Sequence, residues 1–368
     1  MKTRFLKTPW LELCLMIVVV LLSHIGLAII SSVAQAPAPG EMSTGMIALW
    51  LTGLFLISFA IAIVGVIAGI GGGVIFTPIM LAFTPVNSLV IRAAGLIVAM
   101  FSGLMASSLF LKKGLGHFKL CIVLVASQGL GALVGAQFAI AAASAFGASG
   151  EGVIRIVLGF ILVGIAIYFF TGGKKMEWPN VTKVDSLTKW MRLEHSYREE
   201  SDGKVYSFRV TRILLGLLLV VLVGFMGGFF GMGAGWALTP VQNLALGVPL
   251  KAAVANSGII ISMVDCVAVW PYLLAGGIIP LLVLPLLSGQ VVGGLLGAIV
   301  MVKVKVMIVR VILIGIMVFT SFGLVSDGFA TLGLIGKVPS GVSLAVFILV
   351  MAASLFAVFR MRSKERKV

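Results

Sequence analysis

Charged residues are scarce in this chain of 368 residues: Asp and Glu together number 12, and charged types of both signs make up only 11% of the sequence. Soluble domains carry about 25% charged residues, so this scarcity excludes a water-covered surface over most of the chain. Hydrophobic residues reach 60%, in runs long enough to span a membrane. The runs are continuous rather than alternating, which excludes a closed barrel and indicates an all-α polytopic membrane protein.

Cysteine and histidine are also rare, with three of each. Cys14, Cys121 and Cys266 fall in separate apolar segments, which excludes a paired disulfide framework and a zinc-type ligand spacing. The histidines form no metal or relay constellation, and no glycine-rich segment ends in the Lys-Ser or Lys-Thr of a phosphate-binding loop. We therefore expect no metal site, no cofactor and no enzymatic activity.

A repeated glycine-rich motif stands out within the apolar sequence. The segment Gly69-Ile-Gly71-Gly72-Gly73-Val-Ile-Phe-Thr77-Pro78 recurs, at an offset of 162 residues, as Gly231-Met-Gly233-Ala-Gly235-Trp-Ala-Leu-Thr239-Pro240. A glycine break in each half of an apolar chain is typical of the substrate site of a secondary transporter. The same offset relates Gln128, Gly131 and Gly135 to Gln290, Gly293 and Gly297. The Gly-x-x-x-Gly spacing predicts faces where helices pack closely.

Five segments follow from the distribution of apolar and polar residues. They are an N-terminal helix with an outer loop (1–45), a first transmembrane repeat (46–171), a polar insert (172–209), a second repeat (210–326), and a C-terminal helix with a basic tail (327–368). The N-terminal helix, at about 10–32, also fits the template of a cleaved signal peptide, but its length and His24 favour a retained helix. Within the repeats we expect long helices at 46–69, 88–111, 118–144 and 152–171, and again at 210–230, 252–275, 278–301 and 306–326. Short apolar pieces, at 74–84 and 235–246, follow the two glycine breaks.

The insert holds eight basic and six acidic residues. This mixture of charge predicts a solvated linker between the repeats, with a docking role as the alternative. We expect a short helix at Ser186–Glu194 and a hairpin near Asp202-Gly203.

Basic residues predict the orientation of the chain, because cytoplasmic loops are enriched in Lys and Arg. Lys112, Lys113 and Lys119 place the loop after 88–111 in the cytoplasm, whereas the equivalent turn near Gly276 has no charge. Equivalent loops on opposite sides indicate inverted repeats, provided that each short piece is re-entrant. Both termini and the insert are then cytoplasmic, and only Arg92, Arg155 and Lys337 of the 27 basic residues lie elsewhere.

The breaks are the predicted anion site. Glycine lets the chain turn without a Cβ clash, and each following short helix directs its N-terminal amides towards the break, which favours an anion. Candidate substrate-binding residues are Gly71, Gly72, Gly73, Thr77, Arg92, Gly233, Gly235, Thr239, Lys251, Asn256 and Ser257. The threonines could instead satisfy backbone groups, and Arg92 and Lys251, at near-equivalent places, could instead orient their helices at the interface.

Asp265 is the only acidic residue in the middle of a predicted membrane helix. Ionisable groups at membrane depth are expensive and usually functional. It could carry a coupling proton or pair with a basic side chain.

The doubled motif, followed by Arg92-Ala-Ala in one half and Lys251-Ala-Ala in the other, resembles the TauE/SafE sulfite exporter family over residues 46–326. The resemblance implies export of sulfite or an organosulfonate across the bacterial inner membrane. The implied partners are this sulfur anion and the lipid bilayer, with a homo-oligomer as an option and no nucleic acid. The alternatives are a non-transporting anchor or assembly subunit of a redox complex, and a membrane-embedded enzyme, against which the lack of clustered His, Cys, Asp or Glu argues.

Overall fold

The structure, a computed structural model, describes residues 44–356 together with residues 14 and 18. Gaps within that range fall at 84–85, 146, 173–176, 180, 182, 340, 343–344, 347, 351 and 354–355. The predicted N-terminal helix and both chain termini therefore lie outside the described residues. The predicted C-terminal helix is described only in part.

Ten helices build the membrane part of the described chain. The first half contains α1 (Thr44–Ala68), α2 (Gly73–Phe83), α3 (Ser88–Lys112), α4 (Phe118–Ala145) and α5 (Gly147–Gly172). After the insert, whose short helix is α6 (Ser186–Met191), the second half contains α7 (Ile213–Phe230), α8 (Gly235–Leu244), α9 (Leu250–Leu274), α10 (Pro280–Lys303) and α11 (Val306–Thr331). Every helix predicted in the two repeats is present, with ends within a few residues of the expected ones.

Seven helices of the described chain are long and apolar enough to cross a membrane, namely α1, α3, α4, α7, α9, α10 and α11. Both short helices, α2 and α8, directly follow a glycine break, as expected. The chain is thus a mostly helical, multi-pass membrane protein.

The insert contains more regular structure than the linker interpretation implies. Helix α6 begins at Asp185, whose carboxylate accepts a hydrogen bond from the Thr188 amide at 3.2 Å. It ends at Met191 rather than at the expected Glu194, because Arg192 adopts a left-handed conformation (φ 51°) and Glu194 opens a strand. The strands β1 (Glu194–Arg198) and β2 (Val205–Arg209) form a two-stranded antiparallel sheet, a small departure from an all-α fold.

The predicted hairpin turn at Asp202-Gly203 is confirmed. Gly203 has φ 72°, and the backbone bonds between Glu199 and Lys204 and between Gly203 and Glu199 are both 2.8 Å long. Tyr206 donates its hydroxyl to Asp202 at 2.6 Å, which ties the turn to β2. We refer to residues 194–209 as the hairpin.

Helix packing is symmetrical under exchange of the two halves. The offset of 162 residues relates α1 to α7, α3 to α9, α4 to α10 and α5 to α11. The contact of α1 with α10 is accordingly matched by that of α7 with α4, and the contact of α3 with α10 by that of α9 with α4. Helices α3 and α9 pack on each other, as do α5 and α11.

Glycine contacts show how closely these helices approach. A Cβ on Gly131 would lie 2.1 Å from the Val221 carbonyl oxygen, and one on Gly293 would lie 2.4 Å from that of Phe59. These are equivalent contacts in the two halves, between α4 and α7 and between α10 and α1. The close packing predicted from the Gly-x-x-x-Gly spacing is therefore confirmed.

Helices α3 and α9 run antiparallel at the centre of the bundle. The α9–α10 turn lies beside the start of α3, where a Cβ on Gly277 would be 3.3 Å from the Leu89 carbonyl oxygen. Further along, Gly103 faces Gly258, whose carbonyl oxygen would lie 2.5 Å from a Cβ on Gly103. The start of α3 and the start of α9 thus lie at opposite ends of the bundle.

Candidate functional site

The first glycine break follows the end of α1. Gly69 adopts a left-handed conformation (φ 70°) and donates its amide to the Val66 carbonyl at 3.1 Å, while Ile70 donates to Gly65 at 3.0 Å. This is a glycine-terminated helix end, in which two terminal carbonyls find new donors. A second left-handed glycine, Gly71 (φ 74°), then turns the chain into α2.

The second break repeats this geometry. Gly231 (φ 64°) donates to Gly228, and Met232 donates to Gly227, each at 3.3 Å. Gly233 (φ 72°) then leads into α8. Because only glycine adopts this conformation without a Cβ clash, the identical spacing of the glycines in the two motifs has a backbone cause.

The two breaks lie directly against each other and are joined by reciprocal hydrogen bonds. The Thr77 hydroxyl donates to the Gly231 carbonyl at 3.0 Å, and the Thr239 hydroxyl donates to the Gly69 carbonyl at 3.1 Å. All four residues are buried. Each threonine therefore satisfies a carbonyl of the opposite break, which was one of the two roles considered for these residues.

The starts of the short helices also face the opposite break. A Cβ on Gly73 would lie 2.5 Å from the Met232 carbonyl oxygen, and one on Gly235 would lie 2.4 Å from the Ile70 carbonyl oxygen. The first amides of a helix have no acceptor within the helix. Two helix N-termini with partly positive charge therefore converge in the interior of the bundle.

A polar network continues from the second break along α9. The Ser257 hydroxyl lies 2.8 Å from that of Thr239 and accepts from Gln242 Nε2 at 3.1 Å. Gln242 Oε1 in turn accepts from Asn256 Nδ2 at 3.0 Å. In the first half, Gly95 occupies the position equivalent to Ser257, so the network belongs to one half only.

Asn256 ends this network at the α3–α4 loop. Its Oδ1 accepts a hydrogen bond of 2.7 Å from the backbone amide of His117. The Asn256 amide group is thus committed at both of its ends, to Gln242 and to His117.

Asp265 lies beside the second break, which its position in the sequence did not reveal. Its side chain is 1% exposed, and its Oδ2 would lie 2.9 Å from a Cβ on Gly233. Ala99 of α3 contacts Gly233 from the other helix and also contacts Gly71. Within the described residues, Asp265 forms no ion pair and its buried Oδ2 has no hydrogen-bond partner.

Gln290 occupies a corresponding place at the first break. Its Nε2 donates to the Ser58 carbonyl at 2.9 Å, while its buried Oε1 has no partner among the described residues and faces Gly72. The Gly72 amide donates to the Ser102 hydroxyl at 3.2 Å. Each break therefore has one unpaired, buried side-chain oxygen directed at it.

Arg92 lies behind the second break, at the carboxyl end of α7. Its Nη1 donates to the Phe229 carbonyl at 3.4 Å, and its guanidinium lies 5.7 Å from the centre of the Phe229 ring. The Tyr272 hydroxyl lies 2.8 Å from the Gly228 carbonyl. A cation at the carboxyl end of a helix compensates the partial negative charge there.

Lys251 makes different contacts from Arg92. Its side chain is 1% exposed and forms an ion pair with Glu199 of the hairpin. Its Nζ also donates to the carbonyls of Val302 and Val304, at 2.9 and 2.8 Å.

The positions of Arg92 and Lys251 are not equivalent in the folded chain. Gly231 packs on the backbone of Arg92, whereas Gly69 packs on the backbone of Val254. Val254 is therefore the counterpart of Arg92, three residues from Lys251 along α9. Because three residues are nearly a full helical turn, the two cations looked matched in sequence although they lie at opposite ends of the bundle.

The structure brings most of the predicted site residues together at the two breaks. These are Gly71, Gly72, Gly73, Thr77, Gly233, Gly235, Thr239, Ser257 and Asp265. Asn256 is connected to them through hydrogen bonds, Arg92 supports the second break from behind, and Lys251 interacts with the hairpin. Sequence analysis missed Gln242, Ala99 and Tyr272, and it treated Gln290 only as polar contact between helices. Gln242 alone carried a signal, as an amide within a predicted apolar segment.

Known proteins resemble this chain as follows. A family model described as sulfite exporter TauE/SafE matches residues 54–324. "Probable membrane transporter protein YunE" of Bacillus subtilis (strain 168) is 25% identical over 263 residues, covering 68% of this chain and 90% of that protein. "Probable membrane transporter protein ORF9" of Sinorhizobium sp is 30% identical over 184 residues, covering 50% of this chain and 56% of that protein. No solved structure matches the chain.

Proposed function

The chain belongs to the sulfite exporter TauE/SafE family of membrane transporters, and we propose that it exports a small sulfur-containing anion, sulfite or an organosulfonate, as a secondary transporter of the bacterial inner membrane. An interior-negative membrane potential favours the exit of a monovalent anion by about 2.3 kcal/mol per 100 mV. Export therefore needs no nucleotide.

One observation carries this proposal: two helix N-termini converge where the two breaks meet. The amides at the starts of α2 and α8 offer hydrogen bonds and partial positive charge to an oxyanion from two directions. Gly71, Gly72 and Gly73 in one half and Gly233 and Gly235 in the other allow close approach to the backbone. Because the breaks are in contact with each other in this structure, anion entry requires them to separate.

The hydroxyls of Thr77 and Thr239 are engaged across the two breaks, so in our proposal they join the halves while the site is closed. An entering anion would exchange these bonds for bonds to its own oxygens. Ser257 and Asn256 would then line the route between the breaks and the α3–α4 loop. Arg92 and Lys251 would act at the two ends of this route.

Inverted repeats are part of the proposal. They are supported by the reciprocal threonine bonds and by helix pairs that exchange with one another under the offset of 162 residues. The antiparallel arrangement of α3 and α9 also supports them, because a parallel duplication places equivalent helices in the same direction. In this arrangement α2 and α8 are re-entrant segments.

The proposed orientation places the α3–α4 loop, the hairpin and the α10–α11 turn in the cytoplasm. Contacts support a common side for these three: Lys113 pairs with Glu200 at 2.6 Å, and Lys251 joins Glu199 to the carbonyls of Val302 and Val304. All three elements carry the basic residues that favour the cytoplasmic side. The α9–α10 turn is then external, and both termini are cytoplasmic.

Asp265 is the proposed carrier of a coupling proton. Its buried Oδ2 faces Gly233 and, among the described residues, it has no basic partner. The alternative role as half of a structural ion pair is therefore not supported. A proton on this carboxyl group would remove the repulsion between a carboxylate and an anion at the second break.

Transport by the purified protein tests the proposal. Proteoliposomes are loaded with sulfite, thiosulfate, taurine or acetate, and efflux is followed with an interior-negative potential imposed. We expect efflux of at least one sulfur anion and little efflux of acetate. Equal efflux of acetate would contradict the substrate class, and absence of efflux for the whole panel would leave the anchor interpretation standing.

A further inference from the structure

The hairpin presents an unusually acidic turn to a basic surface. Glu199, Glu200 and Asp202 lie within four residues of a chain that has only 12 acidic residues in total. The surface beneath carries Lys113 of the α3–α4 loop and Lys251 at the start of α9. Opposite charges therefore bring the hairpin onto the end of the bundle through which, in the proposed orientation, an exported anion enters.

The contact between Glu199 and Lys251 is the buried centre of this interface. Both side chains are 1% exposed. A desolvated ion pair contributes little net stability by itself, because burial of the two charges offsets their attraction. A site that served only to attach the hairpin could use apolar contacts, so the buried pair suggests a role that requires the charge.

Lys251 is held in place independently of the hairpin. Two of its three N–H groups donate to the carbonyls of Val302 and Val304, which belong to the end of α10 and the turn that follows. The third is directed at the Glu199 carboxylate. Removal of that carboxylate would leave a positioned ammonium group with one free N–H, which is what a small oxyanion requires.

Glu199 is only partly satisfied where it lies. Its Oε1 accepts from Lys251 and from the Ser201 hydroxyl at 2.8 Å, but its buried Oε2 has no partner among the described residues. The carboxylate therefore resembles a bound anion that uses one of its oxygens. An anion with better bonding at both oxygens could displace it.

The hairpin also connects the two halves of the protein. His195 Nε2 lies 2.8 Å from the Gly114 carbonyl and its ring stacks on that of His117, with centroids 4.8 Å apart. These contacts are with the first half, whereas Lys251 belongs to the second. The hairpin thus holds together the loops that must separate if the route to the breaks is to open on this side.

We propose that the hairpin is an anionic lid whose Glu199 carboxylate occupies the entry position for the substrate anion at Lys251. The substrate and the lid compete for one ammonium group, and arrival of the anion releases the lid and opens this side of the transporter. The idea rests on the proposed function, because it assumes that the transported species is a small oxyanion.

Transport kinetics of the full-length protein test the competition. In Glu199→Gln the amide keeps an oxygen for Lys251 but loses the charge, so we expect the KM for sulfite on the hairpin side to fall several-fold with little change in kcat. The matched control is Glu194→Gln, the same substitution in the same hairpin, where the exposed side chain pairs with Arg209 at 3.2 Å. The control should behave as wild type. An unchanged KM in Glu199→Gln, or a lower kcat in that variant, would overturn the proposal.

Hydrogen–deuterium exchange of the hairpin amides provides a readout that does not depend on transport. Sulfite, thiosulfate and taurine are each added to wild type and to Lys251→Ala. At least one anion should accelerate exchange at residues 194–209 in wild type and none should do so in Lys251→Ala, whose hairpin should already exchange rapidly. If no anion accelerates exchange in wild type, the lid is refuted, whatever the transport assay shows. If an anion releases the hairpin but none of the panel is transported, the proposed function fails and the lid stands.

Discussion

Addition of a single methyl group at either break should separate the two halves of the site. In Gly73→Ala the new Cβ would lie 2.4 Å from the Gly95 carbonyl oxygen and 2.5 Å from that of Met232. Ordinary Cβ contacts begin at 3.4 Å, so the opposite break would have to retreat by about 1 Å, the difference between 3.4 and 2.4 Å. Both obstructing atoms are backbone, which cannot rotate aside. Overpacking of this kind costs about 1–3 kcal/mol.

The reciprocal geometry makes this prediction specific, because Gly235→Ala should have nearly the same effect. Its Cβ would lie 2.4 Å from the Ile70 carbonyl oxygen. The matched control is Gly129→Ala on α4, where nothing lies within 4 Å of the added Cβ. Alanine has the higher helix propensity, by about 1 kcal/mol, so the control should be neutral or slightly more stable.

Thermal unfolding in detergent and anion efflux from proteoliposomes measure the two consequences. We expect both break variants to unfold several degrees below wild type and to lose most of their efflux, because the amides of α2 and α8 no longer converge. Gly129→Ala should keep wild-type efflux. If Gly73→Ala and Gly129→Ala behaved alike, the close contact between the two breaks would not be what positions the site.

Three further predictions concern coupling, topology and the lid. Asp265→Asn should still exchange anions at equal pH on both sides but lose acceleration by a pH gradient; unchanged acceleration would exclude this residue as the proton carrier. In a chain without its native cysteines, Gly276→Cys should react with a membrane-impermeant reagent from outside and Lys113→Cys only from inside, and labelling of both from one side would refute the inverted repeats. Burial, then the neighbouring His195 and Lys119, lower the pKa of His117 to about 4 beneath the docked hairpin, whereas a solvated histidine titrates near 6.5. Docking should therefore weaken as the pH falls from about 6.5 towards 4, as faster amide exchange corrected for its intrinsic rate, and His117→Phe should remove this dependence.

Much of the fold could be predicted from the sequence, because the membrane imposes simple local rules. Apolar runs must form helices that satisfy their own backbone groups, so the bounds of α1 to α5 and α7 to α11 follow closely from composition. The glycine breaks were visible for a similar reason. A left-handed turn strongly favours glycine, and repetition of the turns at one offset marked Gly69, Gly71, Gly231 and Gly233.

What the tertiary structure decided is which groups meet across those elements. Thr77 could have faced a ligand or a backbone carbonyl, and only the contact between the two breaks placed it on Gly231. Asp265 and Gly233 are far apart along the chain, and nothing local in either segment indicates that they touch. Helix spacing made Arg92 and Lys251 look equivalent, whereas the packing of Gly231 and Gly69 showed that they are not.

The role of Lys251 depended most on the fold. Its partner Glu199 comes from the insert, whose mixed charges predicted a solvated linker and whose hairpin turn was the only structural signal. Long-range ion pairs leave no periodic pattern in a sequence, because the two side chains are brought together by the packing of separate elements and not by their own local preferences. The apolar and glycine patterns of this sequence therefore determined the helices and the turns, while the packing of the two halves determined which charged and polar groups the site and its lid contain.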